Sequence, residues 1–180
     1  MPEANLPSIG DLHDDQIVAL LRSGAHAALL IAYFGEREYR ELAHLAKLAA
    51  THRNPRGRRV FVLPGIMGSR LGLVARRSYS LLWLHPTAVA NGSLTQLAIP
   101  GPRALRAVGV MLPGYLKLRL RLEIAGFRPM FCPFDWRRDL VQLARAFARL
   151  IERSGERKAL VVGHSIDRKS TRLNSSHLFL

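Results

Sequence analysis

The chain has 180 residues and 48% hydrophobic content, enough for one domain with a real core and too apolar for a disordered polypeptide. Lysine and arginine number 27 against 13 acidic residues, a formal charge of +14, yet only four are lysine and the arginines are dispersed without interleaved aromatics. That distribution reads as coding bias and argues against a nucleic-acid partner, while leaving contact with an anionic membrane surface open.

Cys132 is the single cysteine, so no intrachain disulfide forms and a reducing compartment is compatible. Met1-Pro2-Glu3 opens without a basic and then an apolar segment, and no apolar run approaches the roughly 20 residues of a membrane span. A cytoplasmic protein is expected.

Residues 1 to 55 read as a helical N-terminal segment. Asp14-Asp15 opens a helix through Leu21, since carboxylates at a helix N-terminus cap free amides and oppose the dipole. Gly24 and Gly35 punctuate two further segments. Between Glu36 and Arg53, Tyr39, Leu42, Ala43, Ala46, Ala49 and Ala50 recur at helical spacing, a stripe expected to pack against the main domain or a partner. His13, His26, His44 and His52 lack the spacing of metal ligands. Asn54-Pro55-Arg56-Gly57-Arg58 is turn-rich, and a domain boundary is expected there.

Val60 to Leu63 predicts a buried strand that opens into Pro64-Gly65-Ile66-Met67-Gly68-Ser69. A glycine-bearing loop after a strand can form one wall of an oxyanion hole, the alternative being an ordinary strand-to-loop turn. Residues 72 to 114 carry Asn91-Gly92, Pro100-Gly101-Pro102 and Pro113-Gly114 among leucines, which predicts short helices and loops, such as a cap or lid. His85, in a proline-bounded loop there, reads as structural.

Tyr115 to Ala125 predicts a helix ended by Gly126, and Phe127 to Phe134 the next strand. Asp135-Trp136-Arg137 follows at that strand's carboxyl end and forms a candidate site loop. Asp135 with Arg137 or Arg138 can form charge-assisted hydrogen bonds that fix it, and Trp136 reads as a core plug. Asp139 caps a helix whose apolar face is Leu140, Leu143, Ala144, Phe147, Leu150 and Ile151, ended by Gly155.

Ala159 to Val162 reads as a strand buried on both faces, running into Gly163-His164-Ser165-Ile166. Gly-x-Ser after such a strand is the first half of a nucleophile elbow, G-x-S-x-G, but position 167 holds aspartate. Asp167 to His177 matches the in-frame translation of a common sequencing adaptor, so residues 167 to 180 are treated as an artefactual tail. The order strand, helices, strand, helix, strand predicts an α/β fold with a partial parallel sheet over residues 58 to 166.

Three separated segments agree on a family. Leu63-Pro64-Gly65-Ile66-Met67-Gly68-Ser69, Pro133-Phe134-Asp135-Trp136-Arg137 and Gly163-His164-Ser165 resemble the lecithin:cholesterol acyltransferase-like (lipase/esterase) branch of the α/β-hydrolases. That branch shows a P-G-x-x-G loop, a Y-D-W-R-like segment and G-H-S-x-G in this order, and Phe134 here replaces the usual tyrosine. Leu82-Trp83-Leu84-His85-Pro86 also looks like a feature of the branch.

The resemblance implies the N-terminal portion of an α/β-hydrolase, with Ser165 as nucleophile and the amides of Ile66 and Ile166 as the oxyanion hole. It implies acyl transfer from a lipid-like ester through an acyl-enzyme, with no cofactor and no metal. His164 is expected to pack beside the turn. The triad aspartate and histidine follow the serine in this fold and are absent here as native sequence, so the chain as written is expected to be inactive. Its apolar sheet edge is also expected to lie exposed. Two alternatives stand beside this reading: a small-ester hydrolase or thioesterase, and a noncatalytic α/β module whose basic face binds membrane or a protein partner.

Overall fold

A computed structural model of the chain describes residues 12–164, apart from positions 77 and 157. It is a mixed α/β protein. Three helices come first: α1 (Asp14–Ser23), α2 (Ala27–Phe34) and α3 (Glu36–His52). Asp14 and Asp15 occupy the first turn of α1, behind His13, whose backbone N–H donates to Gln16 Oε1 at 2.8 Å.

The alanine stripe of α3 finds its partner within the chain. Leu42, Ala46 and Ala49 share a buried cluster with Ile17, Leu21 and Leu30 and with Leu112, Leu116 and Leu120 of α5 (Leu112–Ile124). Lys117 of α5 reinforces this contact by pairing with Glu38 at 3.0 Å and Glu41 at 2.9 Å. These pairs are partly exposed and contribute less than the apolar cluster. No single helix among the described residues is long and apolar enough to cross a membrane. The bent pair α1–α2 passes that test jointly; Ile17, Leu21 and Leu30 of the pair are buried in the cluster, while Leu29 and Tyr33 are exposed.

Pro113 and Gly114, expected to break structure, sit in the first turn of α5. A proline there costs nothing, because the amide it lacks has no partner within the helix.

The expected parallel sheet is present. Strands β1 (Arg59–Leu63), β5 (Arg128–Phe131) and β6 (Leu160–Gly163) pair in the order β5-β1-β6. The central strand β1 buries Val60 through Leu63. β6 departs from its expectation: Val162 is 37% exposed and its neighbours are only half-buried. The reason is position, since β6 lies at an edge of the sheet among the described residues and has one strand neighbour instead of two.

Helices cover opposite faces of this sheet. Phe61 of β1 meets Phe147 of α6 (Leu140–Ser154) edge-on at 6.1 Å, while Phe131 of β5 meets Tyr115 of α5 at 6.0 Å. Phe131 pairs with Val62, and Phe61 and Val62 point to opposite faces because side chains alternate along a strand. The strand order therefore reverses at β1, with one crossover helix on each side. Asp139 caps α6 as expected, its Oδ1 accepting the Gln142 amide at 3.0 Å.

Residues 72 to 114 differ from the expectation of helices and loops. They carry the short α4 (Pro86–Ala90) and a 3₁₀ turn at Ser93–Leu97, but most of their order is an antiparallel sheet. It comprises β2 (Ser69–Val74), β3 (Tyr79–Trp83) and β4 (Leu105–Val110), in the order β3-β2-β4. Its centre holds a buried arginine, Arg70, which reaches Asp14 Oδ1 at 3.1 Å and the Leu12 carbonyl at 3.3 Å. Gly109 on β4 makes the room, since a Cβ there would lie 2.7 Å from the Arg70 guanidinium. Burial pushes the Asp14 carboxyl above its usual range, outweighing the opposite pull of Arg70 and Arg119.

Candidate functional site

The site is assembled where β1 and β6 end side by side. Leu63 pairs with Gly163, and the His164 amide donates to the Leu63 carbonyl at 3.1 Å, extending the pairing by one residue. The Pro64–Gly68 segment and Gly163-His164 thus leave the sheet from adjacent positions at the carboxyl ends of the two strands. Ser165 and Ile166 themselves lie outside the described residues.

The first segment is a tight turn. The Gly68 amide donates to the Gly65 carbonyl at 2.9 Å, with Ile66 and Met67 at the centre. Met67 adopts φ +61°, a left-handed conformation that costs a non-glycine residue about 1–3 kcal/mol. The surroundings hold it there through successive carbonyls. Met67 O accepts from Trp83 Nε1 at 3.0 Å, Gly68 O from the Met111 amide at 2.9 Å, and Ser69 O from Trp136 Nε1 at 3.1 Å. The two indoles meet edge-on at 5.5 Å.

With the carbonyls of Gly65, Met67 and Gly68 engaged, the turn retains two donors. The amides of Ile66 and Met67 meet no acceptor among the described residues, and their side chains are 52% and 44% exposed. Strained backbone that offers unmet amides at a strand end is a suitable cradle for a developing negative charge.

A side chain that sequence reasoning missed joins the two segments. The Gly65 amide donates to the Tyr115 hydroxyl at 2.8 Å, and that hydroxyl lies 2.9 Å from His164 Nδ1. His164 therefore packs beside the turn against Tyr115, their rings 5.9 Å apart and edge-on. Tyr115 read only as the start of a helix, and its partners lie 50 and 49 residues away. Local pattern carries no signal for such a contact.

The candidate loop Asp135-Trp136-Arg137 is fixed by charge. Arg137 Nε and Nη2 donate to the two Asp135 oxygens at 2.8 and 2.7 Å, and Arg138 Nε adds a bond at 3.3 Å. Arg137 Nη1 also reaches the Leu97 carbonyl at 2.8 Å, tying this loop to the 3₁₀ turn. Burial alone would raise the Asp135 carboxyl, but the hydrogen bonds and charge of Arg137 hold it below its usual range. Trp136 packs in the cluster of Leu71, Leu82, Ala88 and Leu105, as a core plug. Together with the Phe134 amide, which donates to Ser69 Oγ at 3.0 Å, it fastens the loop to the root of the Ile66 turn.

Beside these loops lies an apolar cavity of about 360 Å³, lined by Leu63, Cys132, Phe134, Leu143, Phe147 and Leu150 among others. It opens near the carboxyl ends of β1 and β5, where open α/β sheets whose strand order reverses take their ligands. Burial pushes the Cys132 thiol up to about 12, so it remains protonated and serves as an apolar wall. Among the described residues no group of three or more histidine, cysteine or acidic side chains is placed to hold a metal. Comparison with protein-family models, with curated proteins and with solved structures gives no match to this chain.

Proposed function

We propose that the protein is a serine acyl hydrolase or acyltransferase acting on lipid-like esters, with Ser165 as nucleophile. One observation carries the reading. The turn with unmet amides at Ile66 and Met67 and the His164 that precedes Ser165 follow directly on the paired residues Leu63 and Gly163. A hydroxyl delivered there stands beside donors suited to an oxyanion.

In the proposed reaction Ser165 Oγ attacks the ester carbonyl and gives its proton to a base. The amides of Ile66 and residue 166 hold the tetrahedral oxyanion. The ester C–O bond then breaks, the alcohol leaves with that proton, and the acyl-enzyme passes its acyl group to water or another alcohol. The base and its orienting carboxylate follow the serine in chain order in such a fold. The apolar cavity beside Leu63 and Phe134 supports an acyl chain as the part of the substrate held. A buried lone cysteine suits a reducing, cytoplasmic setting, and the positive charge suits peripheral contact with anionic lipid.

The test is covalent labelling by a fluorophosphonate in the product of the uninterrupted gene, which should carry glycine at position 167 and a later aspartate and histidine. Labelling is expected to fall to background in Ser165→Ala. Unchanged labelling would remove Ser165 from the mechanism. Faster turnover of short soluble esters than of long-chain ones would favour a small-ester hydrolase instead.

A further inference from the structure

Resting on that acyl-transfer reading, we propose that Tyr115 is a positioning residue. Its hydroxyl locks the turn that offers the Ile66 amide to the segment that delivers Ser165.

The geometry is specific to a hydroxyl. Tyr115 is 7% exposed and projects from the first turn of α5, with its ring braced against Phe131. Its oxygen lies 2.8 Å from the Gly65 nitrogen, just before the Ile66 amide in the chain, and 2.9 Å from Nδ1 of His164, just before Ser165. A phenol both accepts and donates, so one atom can serve both segments. Gly68 completes the fit: a Cβ at that position would lie 2.7 Å from the Tyr115 oxygen, so only a bare backbone lets the hydroxyl in.

In the proposed reaction the hydroxyl acts through the spacing of the nucleophile and the oxyanion-binding amide. Phenylalanine at 115 keeps the ring packing and frees the two segments from each other. Misplacement of reacting groups by about 1 Å costs on the order of 100-fold in rate, so a loss of about 10- to 100-fold is expected.

The experiment is a double-mutant cycle read by the second-order rate of fluorophosphonate labelling at Ser165, in the full-length gene product. Tyr115→Phe and His164→Leu are each expected to slow labelling by about 10- to 100-fold. The double variant should be no slower than the slower single one, because both remove the same link. His164→Asn, which restores a polar atom near Nδ1, should recover most of the rate. His164 is exposed, so its variants keep the test open if Tyr115→Phe does not fold.

Labelling that is unchanged in Tyr115→Phe, or effects that multiply in the double variant, would overturn the role of Tyr115 while leaving the acyl-transfer reading in place. A wild-type protein that does not label at Ser165 would overturn both.

Discussion

Replacing Asp135 by alanine is expected to cost about 3–5 kcal/mol of folding stability. Asp135 is 8% exposed, and both of its oxygens are engaged by Arg137. Removing the carboxylate leaves a largely buried guanidinium whose charge has lost its partner, and that residual charge is the main source of the cost. The Arg138 bond is longer and that side chain is exposed, so it compensates little. For a chain of this size the loss corresponds to a fall in Tm of roughly 6–20 °C. Thermal or urea unfolding checks it, and a cost under about 1 kcal/mol would show that the pair is not closed in solution.

The pH dependence has a definite sign. Asp135 has a folded-state value below its ordinary 3.8, so its contribution is complete above 3.8 and is lost as pH falls through the lower, folded value. The cost of Asp135→Ala should therefore shrink in acid below pH 3.8. Asp14 works in the opposite sense. Its folded value lies above 3.8, so its contribution is complete below 3.8 and is lost as pH rises through the higher, folded value.

Leu120→Ala is expected to cost about 2–5 kcal/mol, from lost burial and from the cavity left behind. Leu120 is fully buried in the cluster shared by α1, α2, α3 and α5. Because that cluster joins the N-terminal helices to the crossover helix of the parallel sheet, the variant should lose both together. Helical circular dichroism, to which α1 to α3 contribute about half of the α-helical residues, and fluorescence of Trp83 and Trp136 in the other core should then move through one shared transition. Two separated transitions would mean that residues up to about 55 fold as an independent unit.

Two of the three parallel strands were legible because Val60 to Leu63 and Ala159 to Val162 are continuous apolar runs followed by proline or glycine, and the third from the glycine that ends the helix before it. The antiparallel sheet was not. Its central strand reads Ser-Arg-Leu-Gly-Leu-Val, where Arg70 and Gly72 alternate with Leu71 and Leu73, so Arg70 reads as solvent-facing although the fold buries it. Its partner Asp14 lies 56 residues away, on a helix that only the folded chain brings near. Pro113 and Gly114 were misleading for a different reason: a breaker in the first turn of a helix breaks nothing.

At the site, the turn after β1 was legible from its glycines, and Asp135 with Arg137 from charge and spacing. The indole clamps of Trp83 and Trp136 and the hydroxyl link of Tyr115 were not. Each joins residues far apart in sequence through one polar atom, and periodicity is blind to such bonds.

Acyl transfer at Ser165 requires one pocket to hold both its hydroxyl and the Ile66 amide. The structure of the fluorophosphonate adduct measures this directly. A phosphonyl oxygen about 2.7–3.1 Å from the Ile66 nitrogen, on phosphorus bonded to Ser165, is the result expected. An adduct on any other residue, or a phosphonyl oxygen turned away from the Pro64–Gly68 turn, would contradict it.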